Sequence, residues 1–142
     1  IEKYGSDKNK LRLEITESAF TLDLEKNVNV IKQLQMVGFI VEMDDFGSGY
    51  SSLNALKDIP VNIIKMDMRF VSQTQDPARA DTIIRMILAM AKELNMEVVA
   101  EGVETVEQAE KLKQYGCSYI QGYLYAKPMP AEEYPEFVKN MK

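Results

Sequence analysis

Short apolar runs alternate with longer amphipathic stretches along this chain, and the alternation predicts strands joined by helices. The apolar runs that predict β-strands cover residues 11–16, 39–45, 62–67, 97–103 and 118–123. Between them, residues 22–37 and 81–94 carry apolar side chains three or four positions apart, which predicts helices with one face packed on a sheet. Strand, helix and strand in short succession predict parallel strands with right-handed crossovers. The predicted fold class is therefore α/β.

Glycines and hydroxyl residues predict where the helices begin and end. Gly38 and Gly116 stand where a preceding helix needs a residue in the left-handed conformation at its carboxyl end. Thr105 and Gln108 have the spacing of a capping box that opens a further helix. The polar stretch 72–79 predicts a loop that leads into the long helix. No linker or low-complexity tract divides the sequence, so one structural unit is expected.

Composition and charge exclude several functions. The 142 residues carry a formal net charge of −5, which argues against a broad basic surface for duplex nucleic acid. There is no histidine and one cysteine, Cys117, which excludes zinc sites and Ser-His-Asp or Cys-His catalysis within this chain. The lone cysteine and the lack of a charged-then-apolar leader make a cytoplasmic setting the expectation. The longest apolar run, 86–91, is far shorter than the about 20 residues that span a bilayer, so no membrane contact is expected from this segment.

Charged and amide side chains interrupt the apolar strands at or near their carboxyl ends. They are Glu14, Asp44, Asp45, Lys65, Asp67, Glu101 and Gln121. Parallel α/β proteins build their active sites at this end of the sheet, so these side chains are expected to converge there. Converging carboxylates repel one another unless a cation neutralises them. Each residue alone also fits a turn, a helix cap or an ion pair, but together they favour a metal site.

The residue types in this set indicate which metal would bind. Oxygen ligands in a chain without histidine favour Mg²⁺ or Mn²⁺, with Ca²⁺ as an occupant that need not support turnover. The adjacent Asp44 and Asp45 could serve two ions about 3.5 to 4 Å apart, as in two-metal phosphoryl-transfer sites. The adjacent acids therefore fit the needs of a two-metal site.

Five longer strings carry a family resemblance. They are LEITES (13–18), DDFGSGYSSL (44–53), IIKMD (63–67), VAEGVET (99–105) and QGYLYAKP (121–128). They resemble the EAL domain, the bacterial phosphodiesterase module that hydrolyses the second messenger cyclic di-GMP to linear pGpG. The resemblance implies a TIM-type (β/α)8 barrel with two metal ions in its active site. It also implies a role in signal transduction. Complete members are often multidomain and sometimes membrane-anchored.

The resemblance also implies which residues carry the reaction. Glu14, Asp44, Asp45 and Glu101 match acids that ligate the metal ions. Lys65 matches the lysine that holds or polarises the attacking water, and Glu101 is a candidate for the base that accepts its proton. Two ions would lower the pKa of this water and stabilise the charge that develops as one ester bond opens.

Further residues match supporting positions of the family. Gln121 matches a residue at the rim of the site that supports the site or the substrate. Glu17 matches the glutamate that anchors the loop 45–53, which the family links to metal binding and dimerisation. Asp67 and Glu104 match partners that orient the metal ligands.

The chain departs from the family in one motif and in length. Glu-Ala-Leu or Glu-x-Leu on an early strand does not occur, and neither does the upstream strand whose asparagine completes one metal site. A TIM barrel needs about 250 residues, so residues 1–142 are expected to be the C-terminal portion of one EAL domain, about five βα units. Its open strand edges favour self-association through the edges or the loop 45–53. Because one metal site lacks two ligands, the isolated chain is expected to be inactive.

Two other functions fit parts of the pattern. A degenerate receptor would bind cyclic di-GMP without cutting it, although the retained acids argue for a catalytic parent. A receiver-type, doubly wound domain would also combine an acidic pair, Mg²⁺ and a lysine. For a receiver, Asp67 would have to be the phosphoacceptor, and its position two residues after Lys65 on the same strand makes it a poor one.

Overall fold

The structure is a computed structural model that describes residues 1, 3, 5, 7–21, 23–47, 56–69 and 76–141. Its strands are β1 (Arg12–Thr16), β2 (Ile40–Phe46), β3 (Ile63–Asp67), β4 (Glu97–Glu101) and β5 (Tyr119–Ile120). Its α-helices are α1 (Leu24–Met36), α2 (Pro77–Glu93), α3 (Val106–Gln114) and α4 (Tyr134–Asn140), and short 3-10 helices cover Lys8–Lys10 and Glu17–Thr21. None of the helices in these ranges is long and apolar enough to cross a membrane.

The five strands form one parallel sheet in the order β1-β2-β3-β4-β5. Each strand therefore pairs with its neighbour in the sequence, with α1, α2 and α3 in the connections. This sequential order is that of a barrel wall, whereas a receiver-type domain has the strand order 2-1-3-4-5. The predicted α/β class is confirmed, and the receiver alternative is wrong.

The two faces of the sheet differ in polarity. One face packs on the helices and forms the hydrophobic core, to which β2, β3 and β4 contribute Val41, Met43, Ile64, Met66, Val98 and Ala100. The helices contribute apolar residues such as Ile31, Ile84, Leu88 and Leu112 to the same core. Because successive side chains of a strand point to opposite faces, the charged residues between these core positions lie on the other face. The sheet thus buries its apolar side under helices and collects its charges on the inner side.

The sheet is strongly curled towards this charged side. The Arg12 guanidinium of β1 lies 5.0 Å from the centre of the Tyr119 ring of β5, although a flat sheet would hold these strands about 19 Å apart. Arg12 also donates to the buried Glu42 carboxylate at 3.0 Å. The first and last strands therefore face each other across a concave interior, as opposite strands of an eight-stranded barrel do.

The helix ends follow the predicted signals in most places. Asp23 caps α1 by accepting from the Lys26 amide, and Gly38 follows the helix with a φ of 98°. Both bonds of the capping box between Thr105 and Gln108 are present at the start of α3, and Gly116 follows its end with a φ of 80°. The predictions at Gly38, Thr105, Gln108 and Gly116 are confirmed, whereas the cap at Asp23 was not predicted from the sequence.

The start of α2 and the strand ends differ from the prediction. Asp76 accepts from the amides of Ala78 and Arg79, and Pro77 occupies the first turn, where its missing N–H costs no hydrogen bond. The helix therefore begins four residues before position 81, and the predicted loop is wrong for residues 77–79, while residues 72–75 lie outside the described residues. The last two strands are also shorter than the predicted runs 97–103 and 118–123.

Candidate active site

Lys65 lies at the centre of the charged side of the sheet. Its ammonium donates to Glu14 Oε1 at 2.8 Å, to Asp44 Oδ1 at 3.0 Å and to Glu101 Oε1 at 3.2 Å. The three acids come from β1, β2 and β4, and Lys65 comes from β3 between them. The Lys65 side chain is only 9 % exposed. The structure thus brings together these four residues that the strand-end pattern placed at one site.

Burial and charge shift the proton affinities within this cluster. Burial acts to lower the pKa of Lys65, but its hydrogen bonds to Glu14, Asp44 and Glu101 outweigh this effect, and the pKa is raised above the usual value. Burial raises the pKa of Glu101, repulsion from Asp44 and Glu14 adds to the rise, and the Lys65 ammonium opposes it. Lys65 therefore stays charged, and Glu101 holds a proton more readily than an ordinary glutamate.

Asp45 points to a different place from its neighbour Asp44. The pairing of β2 with β3 shifts register between Met43 and Phe46, and Asp45 within this bulge has a φ of 58°. A bulge redirects the side chain that it carries. Asp44 consequently contacts Lys65, whereas Asp45 lines a neighbouring cavity together with Glu101.

This neighbouring cavity, called the rim cavity below, has a volume of about 300 Å³. It is lined by Asp45, Asp67, Arg69, Glu101, Gly102, Glu104, Gln121, Gly122 and Tyr123. Gln121 continues the pairing of β4 with β5, because its amide donates to Ala100 O at 2.8 Å and its carbonyl accepts from Val103 N. A Cβ at Gly122 would overlap the Val103 backbone, so glycine is required there. The supporting role predicted for Gln121 stays a prediction.

Asp67 and Arg69 form a tight ion pair at the rim cavity. Asp67 accepts from Arg69 Nη2 at 2.7 Å, from Nε at 2.9 Å and from the Arg69 amide at 2.7 Å. Hydrogen bonding from Arg69 lowers the pKa of Asp67 below its usual value, against a smaller opposing effect of burial. Asp67, which the resemblance assigned to the support of metal ligands, thus has Arg69 as its charge partner.

The remaining two predicted residues lie at the edge of the site. Glu104 is exposed and lines the rim cavity, and its amide donates to Gln108 Oε1 at 2.9 Å. Glu17 is buried in the 3-10 helix after β1. It was expected to anchor the loop 45–53, of which residues 48–53 lie outside the described residues. The role of Glu17 stays a prediction.

Sequence reasoning missed the cationic and aromatic residues around these acids. Arg69 and Tyr123 line the rim cavity, and Arg12 crosses the interior beneath the Lys65 cluster to reach Glu42 and Tyr119. The spacing of Arg12 and Glu14 on one strand was a usable signal, because residues two apart share a face. Arg69 follows β3, where strand periodicity no longer tells which way a side chain points.

The cluster has the donor chemistry of a site for a hard cation. Three carboxylates and one ammonium leave a formal charge of −2 around Lys65. Among the residues that the structure describes, no three acidic or cysteine side chains are spaced to hold an ion as they stand. The Lys65 ammonium itself occupies the centre of the oxygen ligands. Their type and charge nevertheless suit Mg²⁺ or Mn²⁺.

A comparison with known families is consistent with this geometry. A family model described as the EAL domain matches residues 1–128. The chain belongs to the EAL domain family. The cyclic di-GMP phosphodiesterase NbdA of Pseudomonas aeruginosa is 36% identical over 139 residues, which cover 98% of this chain and 18% of NbdA. EAL-domain relatives of the chain are thus cyclic di-GMP phosphodiesterases, and the chain spans less than a fifth of this one.

Solved EAL structures share the fold of the chain. The PaMucR phosphodiesterase in complex with cyclic di-GMP superposes with a TM-score of 0.83 at 38% identity, over 94% of this chain and 54% of the chain in that structure. A manganese and cyclic di-GMP complex of Klebsiella pneumoniae BlrP1 has a TM-score of 0.80 at 30% identity, over 89% of this chain and 32% of BlrP1. The predicted relation to a TIM-type α/β barrel is confirmed, and the EAL chain corresponds to part of each of these structures.

Proposed function

We propose that this EAL chain forms part of a metal-dependent phosphodiesterase that hydrolyses cyclic di-GMP to linear pGpG. The observation that supports this proposal most is the meeting of Glu14, Asp44 and Glu101 around Lys65, since the three acids come from three different strands. Three acids around one ammonium leave a formal charge of −2, which further cations would neutralise. The family relation supplies the substrate class.

The residues of the cluster would divide the work of hydrolysis. Glu14, Asp44, Asp45 and Glu101 would hold two divalent ions, Mg²⁺ or Mn²⁺, which supply Lewis-acid activation of the phosphate ester and of water. Ca²⁺ would bind the same oxygens without supporting turnover. Lys65 would hold the attacking water by a hydrogen bond. Glu101 would accept the proton of that water.

Residues at the rim cavity would orient the substrate and the ligands. Gln121 presents an amide to the cavity from the end of β5. Asp67 and Glu104 would support the ligating acids from the wall of the rim cavity that they share with Glu101. Glu17 would hold the segment after β2 in place.

We further propose that the chain needs a partner to complete its barrel. Within the described sheet, β1 pairs only with β2 and β5 pairs only with β4, so one edge of each is open. Open parallel edges tend to recruit another strand, and a second copy is the proposed partner, through these edges or the loop 45–53. The chain alone would then cleave cyclic di-GMP negligibly. We place this activity in the cytoplasm, where the substrate is a soluble nucleotide.

Calorimetric titration of the chain with cyclic di-GMP, with and without Mn²⁺, tests the proposed site. Binding is expected to require the ion, because the acids repel the phosphates of the ligand until their charge is neutralised. The substitution Glu14→Gln, which removes one acid from the cluster, should weaken the metal-dependent binding about tenfold or more. Tight binding that is independent of metal would instead favour the receptor alternative and would contradict the proposal.

A further inference from the structure

Two charged residues lie on the inner face of the sheet, nearer the amino ends of the strands than the Lys65 cluster. Arg12 precedes Glu14 by two residues on β1, and both share the inner face because side chains alternate along a strand. Glu42 precedes Asp44 by two residues on β2 and shares the inner face with it for the same reason. Arg12 and Glu42 thus lie one layer away from the proposed ion ligands, and the proposed hydrolysis gives neither of them a role.

Glu42 is the charge partner that holds the Arg12 guanidinium. Arg12 Nη1 donates to Glu42 Oε1 at 3.0 Å, and the Glu42 side chain is only 5% exposed. The guanidinium carbon also lies 5.0 Å from the centre of the Tyr119 ring, a weaker contact than a hydrogen bond between two charged groups. In the part of the chain that the structure describes, the ion pair of Arg12 is with Glu42 and not with Glu14.

An arginine released from Glu42 would have the Glu14 carboxylate within reach. Residues two apart on one strand have Cα atoms roughly 7 Å apart, which an arginine side chain can span. The side chains of Arg12 and Glu14 are 38% and 50% exposed, so both have room to turn. A guanidinium binds a carboxylate through two parallel N–H groups. On Glu14 it would therefore occupy oxygens that a divalent ion needs.

We propose that Glu42 is a positioning residue of the ion site, which holds the Arg12 guanidinium away from Glu14 and so leaves the Glu14 carboxylate to a divalent cation. This inference rests on the proposed function, because it takes Glu14 as an ion ligand. Glu42 acts through Arg12 and touches no ion itself. Because the two charges balance each other, removal of both together should disturb the ion site less than removal of Glu42 alone.

Calorimetric titration with Mn²⁺ tests this role in one single and one double variant. Glu42→Met removes the acceptor and keeps most of the volume, so the released Arg12 is expected to weaken Mn²⁺ binding about 10–100-fold. The double variant Arg12→Met with Glu42→Met also removes the competing guanidinium, and its Mn²⁺ affinity is expected to return to that of the wild type.

Urea unfolding and a conservative variant accompany the titration. Loss of one partner of a buried ion pair destabilises a protein, whereas replacement of the whole pair by apolar side chains is often neutral. The urea midpoint should therefore fall in Glu42→Met and recover in the double variant. Glu42→Gln keeps an acceptor oxygen for Arg12, so its Mn²⁺ affinity should lie between those of the wild type and Glu42→Met.

Glu97→Met is the matched control for the loss of negative charge. Glu97 is an exposed acid four residues before Glu101 on β4, and it accepts from the uncharged Tyr119 hydroxyl at 3.4 Å. Its removal takes the same charge from the inner face without releasing an arginine, so Mn²⁺ affinity should not change.

Three results would overturn the positioning role while the proposed function stands. They are equal Mn²⁺ affinity of Glu42→Met and wild type, a double variant that binds as weakly as Glu42→Met, and an equal loss in Glu97→Met. If Glu42→Met does not fold, wild-type affinity of Glu42→Gln or weak binding by the double variant overturns the role in the same way. A wild-type chain that binds no Mn²⁺ would overturn both this role and the proposed function.

Discussion

At the scale of single residues, Lys65 determines the electrostatics of the site. Its buried ammonium is surrounded by the carboxylates of Glu14, Asp44 and Glu101. Its pKa is raised, so it remains charged throughout the neutral range. The lysine therefore has a structural task, the neutralisation of converging acids, in addition to its proposed task in catalysis.

Lys65→Met removes this positive charge and keeps most of the side-chain volume. We expect the free energy of unfolding to fall by about 2–3 kcal/mol, less than the about 3–5 kcal/mol for a fully buried pair, since the Glu14 side chain is 50% exposed. Urea unfolding measures the change. Mn²⁺ should stabilise this variant more than the wild type, because an ion can replace the ammonium.

Lys111→Met is the control for this prediction. Lys111 lies 3.6 Å from Glu107 on the exposed face of α3, and such surface pairs contribute at most about 1 kcal/mol. A loss of stability in Lys111→Met that equals the loss in Lys65→Met would show that any missing lysine destabilises the chain. Unchanged stability of Lys65→Met would contradict the neutralising role.

At the residue scale, the candidate site was predictable only for residues inside strands, where alternation of side chains tells which face each one lies on. Glu14, Asp44, Lys65 and Glu101 lie inside strands, so their position near the carboxyl ends predicted their convergence. Asp45 was predicted beside Asp44 but points into the rim cavity, because a bulge with positive φ breaks the alternation. Arg69 and Tyr123 lie after the ends of strands, where the direction of a side chain depends on tertiary contacts rather than on its spacing in the sequence.

At the scale of elements, capping signals specify the helix boundaries. The capping box of α3 satisfies two amide groups at its first turn, because Thr105 Oγ1 accepts from Gln108 N and Gln108 Oε1 accepts from Thr105 N. The helix follows the end of β4, which carries Glu101. The cap therefore contributes to holding the strand end that bears a proposed ligand.

Thr105→Ala is expected to lower the free energy of unfolding by about 1 kcal/mol, because an amide at the start of α3 loses its acceptor. Thr105→Ser keeps the hydroxyl and should retain nearly all of the stability. The urea midpoint measures both, and the slope of the transition should not change. Equal midpoints for the alanine variant and the wild type would contradict the importance of this cap.

Helices were predictable from the sequence where the apolar periodicity and the capping residues indicated the same boundary. The helix 22–37 was predicted within two residues of α1 at each end, since the apolar spacing and Gly38 mark its limits. The start of α2 was missed because the apolar stripe begins only at Ile83. The helix begins earlier, at Pro77, after the cap residue Asp76. β5 is short because its chain turns at Gly122 against the Val103 backbone.

At the scale of the whole molecule, the five described strands follow one another in the sheet in sequence order, as in a barrel wall. The contact between Arg12 and Tyr119 places the first and last strands on opposite sides of a shared interior. This chain also matches only part of the chains in solved EAL structures, for example 54% of the chain in the PaMucR structure. The acids of this chain would therefore supply part of a complete two-ion site.

The pure 142-residue chain is accordingly expected to hydrolyse cyclic di-GMP at a negligible rate, even with Mg²⁺ or Mn²⁺ present. Chromatography of the products would show little or no pGpG. Any turnover must be compared with the variant Glu101→Gln, because a contaminating phosphodiesterase would not respond to this substitution. Hydrolysis by the wild type that Glu101→Gln abolishes would contradict the expectation.

The central claim is that the acids around Lys65 form a divalent-ion site, and a calorimetric Mn²⁺ titration tests it most directly. We predict that the wild type binds Mn²⁺ and that Asp44→Asn weakens the binding about tenfold or more. Asp81→Asn, which removes an acid that accepts from Tyr115 at 2.7 Å on α2, should bind like the wild type. Absence of Mn²⁺ binding in the wild type, or equal affinity of Asp44→Asn and wild type, would contradict the claim.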